Sequence, residues 1–328
     1  MNSNKKKKIL ITGAGGFIGG HLAKFYHKKG FEVICVDIKN KSSWFQLSSK
    51  RKNFVVDCRD PVVCDRIMKK VDYVFNLACD MGGMGFIENN KALCMLSSVI
   101  NINLLKSAKK YKVKKFFYSS SACIYPSYRQ KDYKLPKLKE SDAYPADPED
   151  GYGWEKLFNE RMCRHFYEDF GLEVRIARYH NVYGEYGSWK DGREKAPAAL
   201  ARKFVESIHK KRNKIEIWGN GNQIRSFLYI DDCIRGTDLL FRSNFRNPIN
   251  IGNDKHVTIN ELVSILEKIT NHKVKRIYDT TKPKGVDSRS SDNRLVKKIL
   301  NWSPKISTEE GMEKLFNYIN LEYIKYKK

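Results

Sequence analysis

A glycine-rich turn close to the N-terminus constrains the fold of this chain more than any other feature. Gly13, Gly16 and Gly19 follow a short apolar run, Ile9–Thr12, and open a stretch with helical periodicity. Glycines in this context allow a tight turn from strand to helix, and they let the backbone approach a pyrophosphate at the N-terminus of the helix. The turn therefore predicts a dinucleotide site in a Rossmann-type fold.

An acidic residue at the end of the next apolar run indicates which dinucleotide binds. Asp37 ends the predicted strand Val33–Asp37, where its carboxylate can accept hydrogen bonds from the adenosine ribose and repel a 2′-phosphate. The prediction is NAD rather than NADP, although Lys39 and Lys41 lie nearby and leave this preference open. Asp57 follows a further strand and is either a contact to the adenine or a polar strand end.

The first half of the chain alternates short apolar runs with amphipathic stretches. This pattern predicts a parallel sheet with helices on both faces, and ligands then bind at the carboxyl ends of the strands. The predicted strands are 9–12, 33–37, 53–57, 71–77, 115–120 and 174–178, and the predicted helices are 21–29, 60–69, 90–111 and 154–170. The fold class is α/β: a Rossmann-type doubly wound parallel sheet with a smaller C-terminal α/β lobe.

The pattern loosens beyond about residue 182, which suggests two domains. Residues 1–182 form the NAD-binding domain, and residues 183–328 form mainly a substrate-binding lobe with some segments that return to the first domain. A helix over 195–210, strands over 215–218 and 226–230, and a polar loop over 279–292 are predicted there. Thr258, with Glu261 three residues later, forms the capping box of a helix over 258–270.

Composition and the absence of certain motifs argue against nucleic-acid binding, a membrane span and a metal site. The chain has 328 residues and a net charge of +25, but its lysines are scattered and no nucleic-acid-binding motif accompanies them. A basic solvated surface is therefore favoured over nucleic-acid binding. No apolar run is long enough to span a membrane and no signal region is visible, so a cytoplasmic protein is expected. The eight cysteines show neither Cys-x-x-Cys nor zinc-type spacing, so reduced thiols and no metal are predicted.

A tyrosine and a lysine supply the candidate redox chemistry. Tyr152 and Lys156 are four residues apart on a predicted helix and so share one face. A lysine ammonium close to a phenol favours the phenolate and lowers its pKa. Ser121, at the end of the strand over 115–120, can hydrogen-bond the same substrate hydroxyl. Together with the dinucleotide turn, this set resembles the short-chain dehydrogenase/reductase superfamily, in the extended branch that acts on nucleotide-sugars.

Four longer segments narrow this resemblance. They are residues 76–86 (Asn-Leu-Ala-Cys-Asp-Met-Gly-Gly-Met-Gly-Phe), 120–126 (Ser-Ser-Ala-Cys-Ile-Tyr-Pro), 192–199 (Gly-Arg-Glu-Lys-Ala-Pro-Ala-Ala) and 223–227 (Gln-Ile-Arg-Ser-Phe). These segments are similar to those of the GDP-mannose 3,5-epimerase family. The resemblance runs from about Lys8 to about Tyr318, which is essentially the whole chain.

The resemblance implies a mechanism. Tyr152 takes the proton of the C4 hydroxyl while NAD⁺ takes the C4 hydride, and the resulting ketone acidifies C3 and C5. Cys123 and Lys195 then remove and return protons on opposite faces of the ring, and which of the two acts first at each carbon stays open. The hydride finally returns to C4. The implied cofactor contacts are Gly13, Gly16, Phe17, Ile18, Gly19, Asp37, Asp57, Leu77, Ala78, Tyr152 and Lys156.

A sugar-nucleotide site is implied by the same resemblance. Arg225 and Arg289 have the planar donor geometry that suits bidentate contact with a diphosphate. The implied substrate contacts are Gly82, Ser121, Ala122, Cys123, Asn181, Glu194, Lys195, Ala196, Lys203, Gln223, Arg225, Ser226 and Arg289. The chain departs from the family pattern at Asp287, which puts an acid near these arginines, and at Cys79, where alanine is usual.

Plainer interpretations of three residues stay open. Cys123 is alternatively a buried structural thiol. Lys195 is alternatively a surface lysine or only a phosphate contact, with Glu194 as its ion-pair partner. Arg289 is alternatively a surface arginine in a loop.

Other functions are compatible with parts of the sequence. A C4 epimerase of another nucleotide-sugar needs only Tyr152, Lys156 and NAD, and it leaves Cys123 and Lys195 unexplained. A non-catalytic dinucleotide-sensing protein typically lacks the Tyr or the Lys, and both are present here. A 4,6-dehydratase is disfavoured because its Asp-Glu pair is missing after Ser121. By resemblance, a homodimer is expected through the helices over 90–111 and 154–170.

Overall fold

The computed structural model describes residues 6–131, 137–283 and 285–327. Its strands are β1 (Lys8–Thr12), β2 (Glu32–Asp37), β3 (Lys52–Val55), β4 (Tyr73–Asn76), β5 (Lys115–Ser121), β6 (Val174–Tyr179), β7 (Val182–Tyr183), β8 (Lys214–Trp218), β9 (Ile224–Ser226), β10 (Leu228–Tyr229), β11 (Ile249–Ile251), β12 (His256–Thr258), β13 (Lys275–Asp279) and β14 (Ser288–Arg289). Its helices are α1 (Phe17–Lys28), α2 (Pro61–Met68), α3 (Met84–Asn89), α4 (Lys91–Met95), α5 (Ser97–Lys110), α6 (Tyr152–Phe170), α7 (Ala196–His209), α8 (Ile230–Arg242), α9 (Ile259–Thr270), α10 (Arg294–Leu300) and α11 (Thr308–Lys327).

Seven parallel strands form the central sheet, in the order β3-β2-β1-β4-β5-β6-β11. The chain builds outward from β1 to β3 and then returns to the other side of β1 with β4. The strand order therefore reverses between β1 and β4, and crevices at such points bind ligands in open α/β sheets. The predicted doubly wound parallel sheet is confirmed.

Helices cover both faces of the sheet. On one face α2, α5 and α6 pack through apolar residues such as Leu104 and Cys163. On the other face α1 and α8 pack through residues such as Leu22 and Cys233. Within the described residues no helix is long and apolar enough to cross a membrane. The eight cysteines are all free thiols.

The C-terminal lobe is built from short strands and three helices. β8 pairs with β13, and β9 lies between β12 and β14. Helices α7, α9 and α11 pack against one another, and their apolar residues join the core cluster on the α1 and α8 face of the large sheet. Strand β11 lies beyond the start of this lobe in the sequence, yet it pairs with β6 at the edge of the large sheet.

Several predicted elements differ in their bounds, and the polar loop predicted over 279–292 contains strand β14. The helix over 90–111 is interrupted at Leu96 and forms α4 and α5. The strand over 226–230 is two strands, because β9 pairs with β12 and β14 whereas β10 pairs with β7 and leads directly into α8. Strand β3 ends at Val55, so Asp57 lies in the loop before α2. The predicted Thr258–Glu261 capping box at α9 is present.

Candidate active site

Two adjoining cavities lie at the carboxyl ends of the central strands. The first, here called the glycine-loop crevice, has a volume of about 310 Å³ and runs from the turn after β1 to Tyr152. The second, here called the inner cavity, has a volume of about 370 Å³ and lies between the central sheet and the C-terminal lobe. The residues that line both are Met81, Ser121, Tyr152, Tyr179 and Lys195.

The glycine turn has the close contacts that its sequence predicts. Gly13 adopts a φ of +71°, and a Cβ on Gly19 would lie 2.2 Å from the carbonyl oxygen of Gly13. Gly16 is the N-cap of α1, so the N-terminus of that helix faces the crevice. This turn fits a dinucleotide, because it brings Phe17 and Ile18, in the first turn of α1, to the crevice, and a helix N-terminus suits a pyrophosphate.

Asp37 closes the far side of the glycine turn. Its Oδ2 accepts a hydrogen bond from the backbone amide of Gly15 at 2.9 Å, and its Oδ1 accepts one from Lys39 at 3.0 Å. The predicted cofactor contacts that line the crevice are Gly13, Gly16, Phe17, Ile18, Gly19, Asp37, Asp57, Leu77, Ala78 and Tyr152. Asp57 forms an ion pair with Arg59, whose guanidinium lowers the pKa of this carboxyl group. The sequence analysis did not single out Arg59, which also lines the crevice.

Lys156 lies beside Tyr152, but it lines neither cavity. Its ammonium nitrogen lies 3.3 Å from Oε2 of Glu155 and 5.4 Å from the centre of the Tyr152 ring. Glu155 is buried and also accepts a hydrogen bond from Asn159 at 2.7 Å. The predicted contact between Lys156 and the nicotinamide ribose stays a prediction.

The predicted lowering of the Tyr152 pKa is wrong for this structure. Burial raises the pKa of this phenol well above its usual value, and Cys79 and Cys123 add to the effect. A hydrogen bond with Ser121 opposes the shift. The physical reason is that Lys156 is engaged by Glu155, whereas the phenol is surrounded by protein and must lose its solvation to ionise.

Cys123 and Lys195 both line the inner cavity next to Tyr152. Cys123 follows β5 in a 3₁₀ turn, and its amide donates to the Ser121 hydroxyl at 3.2 Å. Lys195 stands directly before α7, is partly buried and lines both cavities. Burial lowers the pKa of Lys195, and burial together with Glu149 raises the pKa of Cys123 to about 11. The two side chains are thus two proton carriers at one cavity.

The loop that carries Lys195 is pinned to the segment over 82–83. The amide of Gly83 donates to the carbonyl of Arg193 at 3.0 Å, and a Cβ on Gly83 would lie 2.5 Å from the carbonyl oxygen of Glu194. Glu194 accepts a hydrogen bond from Arg202 at 3.0 Å, so the suggested pair between Glu194 and Lys195 is wrong.

The two predicted phosphate-binding arginines both line the inner cavity, where Arg289 is buried and Arg225 is partly buried. Arg289 is 5% exposed, so the alternative of a surface arginine is wrong. Its Nε donates to Oε1 of Gln130 at 2.6 Å, and another of its nitrogens pairs with Glu149. Arg225 donates to the carbonyl of Ile224 at 2.7 Å, and burial together with Arg289 lowers its pKa to about 10. Contact between either arginine and a diphosphate stays a prediction.

Most of the other predicted substrate contacts also line the inner cavity: Gly82, Ser121, Ala122, Asn181, Glu194, Ala196, Lys203 and Gln223. Ser226 is the exception. It is fully buried, and its hydroxyl accepts a hydrogen bond from the amide of Ser291 at 3.2 Å. Side chains alternate along a strand, so β9 directs Arg225 to the cavity and Ser226 away from it.

Three acceptor atoms at the inner cavity have no hydrogen-bond partner among the described residues. They are Oε2 of Glu149, Oε2 of Glu194 and Oε1 of Gln223, and all three are buried. Buried polar atoms are normally hydrogen-bonded, so these acceptors suit a ligand that brings several O–H or N–H donors. A hexose linked to a nucleotide has that chemistry.

Comparisons with known proteins agree with this geometry. Residues 9–252 match the family model described as the NAD dependent epimerase/dehydratase family. The chain is 43% identical to GDP-mannose 3,5-epimerase 1 of Oryza sativa subsp. indica, over 99% of this chain and 84% of that protein. It is also 43% identical to the GDP-mannose 3,5-epimerase of Arabidopsis thaliana, over 98% of this chain and 84% of that protein.

Solved structures share the whole fold. The UDP-glucose 4-epimerase of Thermotoga maritima with UDP-glucose superposes with a TM-score of 0.87 and 26% identity, over 96% of this chain and 99% of that one. The UDP-glucuronic acid 4-epimerase of Bacillus cereus in complex with UDP-glucuronic acid and NAD gives a TM-score of 0.80 and 25% identity, over 96% of this chain and 100% of that one.

Proposed function

This chain belongs to the NAD dependent epimerase/dehydratase family and, within it, to the GDP-mannose 3,5-epimerases, and we propose that it converts GDP-D-mannose to GDP-L-galactose, and in part to GDP-L-gulose. The observation that carries this proposal is the pair Cys123 and Lys195 at the cavity that also contains Tyr152. A plain C4 epimerase has no use for two further proton carriers at this place.

NAD is the cofactor of this family, and when bound it accepts the C4 hydride of the sugar and later returns it. The residues of the glycine-loop crevice would hold it: Asp37 would contact the adenosine ribose, and the glycine turn would contact the pyrophosphate.

Tyr152 handles the proton of the C4 hydroxyl. Tyr152 and Ser121 both lie at the junction of the two cavities. As a phenolate Tyr152 accepts this proton when C4 is oxidised, and as a phenol it returns the proton when C4 is reduced.

Cys123 and Lys195 exchange protons with C3 and C5. A ketone at C4 acidifies both positions, since each carbanion is stabilised as an enolate. Inversion needs one carrier to take a proton and a second carrier to supply one from the other face of the ring. Glu194 and Gln223, with their unpartnered oxygens, accept hydrogen bonds from the substrate.

A homodimer is part of the proposal. Helices α4, α5 and α6 lie together and expose large apolar side chains, which are Met95, Leu96, Val99, Trp154 and Phe158. Exposed apolar side chains on packed helices are typical of a protein–protein interface. Light scattering that gives the mass of a single chain would contradict the dimer. The cytoplasmic location expected from the sequence stays a prediction.

The experiment is proton NMR of GDP-mannose incubated with the purified protein in D₂O. We expect deuterium at C3 and C5 and none at C4, because only C3 and C5 exchange with the protein's proton carriers. In Cys123→Ala this exchange should be lost. The protein would instead be a C4 epimerase if two results were obtained. GDP-mannose would take up no deuterium, and a UDP-hexose would be inverted at C4 without deuterium uptake.

A further inference from the structure

Glu149, which the sequence analysis did not single out, is fixed directly behind Cys123. Its backbone amide donates to the carbonyl of Cys123 at 3.0 Å, and its side chain lines the inner cavity with only 10% exposure. Oε1 accepts a hydrogen bond from Arg289, and Oε2 has no partner among the described residues. A carboxylate therefore stands next to the thiol that exchanges protons with the sugar.

Arg289 joins the carboxylate and the thiol. One nitrogen of its guanidinium, Nη1, lies 3.3 Å from Sγ of Cys123, and the other, Nη2, pairs with Glu149. Its Nε is held by Gln130 at 2.6 Å. Because all three nitrogens are engaged and the residue is buried, the guanidinium is a fixed positive charge beside Cys123.

The groups that face Cys123 come from several elements, and most of the charges are positive. Arg289 of β14, Arg225 of β9 and Lys195 before α7 all interact with it electrostatically. Tyr152 of α6 and Ser121 of β5 are the neutral neighbours. Glu149 is the carboxylate that opposes these cations in the part of the chain that the structure describes. Cations alone favour a thiolate, whereas burial and the charge of Glu149 both favour the protonated thiol.

We propose that Glu149 is a positioning residue of the reaction: its carboxylate holds Arg289 in place and keeps the proton on Cys123 against the surrounding cations. The use of that proton at C3 and C5 rests on the proposed function, but the effect on the thiol does not. Burial opposes ionisation of Glu149, yet Arg289 outweighs burial and lowers the pKa of this carboxyl group. Glu149 is therefore ionised at neutral pH, as the proposal requires.

Proton balance shows why the state of the thiol matters. In each inversion one carrier gains the proton that leaves the ring carbon, and the other carrier loses a proton to the same carbon. Cys123 and Lys195 must therefore share one proton at the start of each inversion. The two ionisations of this pair set the limits of the active pH range, and the charge of Glu149 moves them.

The test measures the pH dependence of alkylation of Cys123 by iodoacetamide, followed by mass spectrometry of the peptide that contains it. Glu149→Gln keeps the size of the side chain and an acceptor for Arg289 but removes the charge. We expect the alkylation midpoint to fall by about 1–3 pH units, because the nearby guanidinium is then unopposed. Asp150→Asn is the matched control: it removes a carboxylate at the next residue, which is exposed and paired with Lys91. Its midpoint should equal that of the unmodified protein.

The outcome separates this proposal from the proposed function, because alkylation needs no substrate. A midpoint in Glu149→Gln equal to that of Asp150→Asn overturns the proposal. The proposal is also overturned if Cys123 of the unmodified protein is alkylated with a midpoint below that of free cysteine, which is about 8.5. This second measurement does not depend on whether the variant folds. In the active enzyme the pH profile of deuterium exchange should move in the same direction as the alkylation midpoint. A fall in rate at every pH without such a move marks a purely structural role and contradicts the proposal.

Discussion

The glycine-loop crevice and the inner cavity lie side by side, but they are built in different ways. The crevice follows the edge of the central sheet, and its lining consists mainly of the glycine turn and apolar side chains, with the carboxylates of Asp37, Asp57 and Asp80 along it. The inner cavity collects charged side chains from separate parts of the chain: Glu149, Lys195, Arg225 and Arg289. A cofactor that is held in one position needs a rigid surface, whereas proton transfer needs ionisable groups whose charges are balanced.

This difference has an energetic cost. A buried charge is costly unless it is paired and hydrogen-bonded. Arg178 and Glu160 illustrate full pairing, since they form a buried bidentate pair beneath the sheet that lies outside both cavities. The pair of Arg289 and Glu149 has the same chemistry but faces the inner cavity and touches a thiol. The same arginine–glutamate pairing therefore stabilises the protein interior at Arg178 and Glu160, whereas at Arg289 and Glu149 it lies beside a proposed proton carrier.

Among the substitutions that test the difference between the two cavities, Lys195→Met is expected to have the largest effect. Methionine keeps an unbranched chain of similar length in the cavity but carries no proton. Deuterium exchange at the carbon that depends on Lys195 should fall by about 10²–10⁴-fold, the usual contribution of one acid–base group. Binding of NAD and oxidation at C4 should persist, and mixing with GDP-mannose should give the absorbance of reduced nicotinamide on the protein.

Lys190→Met is the matched control for this variant. Lys190 is an exposed lysine five residues earlier that lies against Trp189 and Tyr326 and lines neither cavity. Its exchange rate should equal that of the unmodified protein. If Lys195→Met also lost NAD binding, the two cavities would not be functionally separable.

A smaller effect, confined to the crevice, is expected from Asp37→Ser. The substitution removes the carboxylate that opposes a 2′-phosphate and leaves Lys39 close by. The ratio of NADP to NAD affinity should rise by about tenfold or more, because a like-charge contact that costs at least about 1.4 kcal/mol is removed. Titration of both dinucleotides by calorimetry measures this ratio. An unchanged ratio would mean that Asp37 acts only through its hydrogen bonds to Gly15 and Lys39.

The sequence predicts the crevice better than the inner cavity, because its signals are local. The glycine turn, the strand before it and Asp37 lie within 30 residues of one another, and the alternation of strands and helices then fixes the sheet. Lys195 and Cys123 could be placed only through a family resemblance. The partnership of Glu149 with Arg289 joins residues 140 positions apart, and no periodicity or spacing indicates it.

The two wrong predictions at the inner cavity, an ion pair between Glu194 and Lys195 and a lowered Tyr152 pKa, were also made from local spacing in the sequence. Glu194 was expected to pair with its neighbour Lys195, but adjacent side chains point in different directions, and Arg202 on α7 reaches it instead. The Tyr152 pKa was inferred from the position of Lys156 on the same helix face. A third residue, Glu155, engages that lysine, and helical spacing cannot show such competition.

The smallest effect is expected from Cys79→Ala, which compares a thiol of the crevice with Cys123 of the inner cavity. Cys79 lines the crevice near Lys156, and burial raises the pKa of its thiol, so it is neutral at pH 7. It lacks the paired carboxylate and guanidinium that flank Cys123, and alanine leaves the backbone unchanged. Epimerisation and NAD affinity should therefore stay within about threefold of the unmodified protein, as is usual for changes worth about 0.5 kcal/mol. A loss comparable to that of Cys123→Ala would contradict this comparison, because it would show that a neutral thiol in the crevice also takes part in proton transfer.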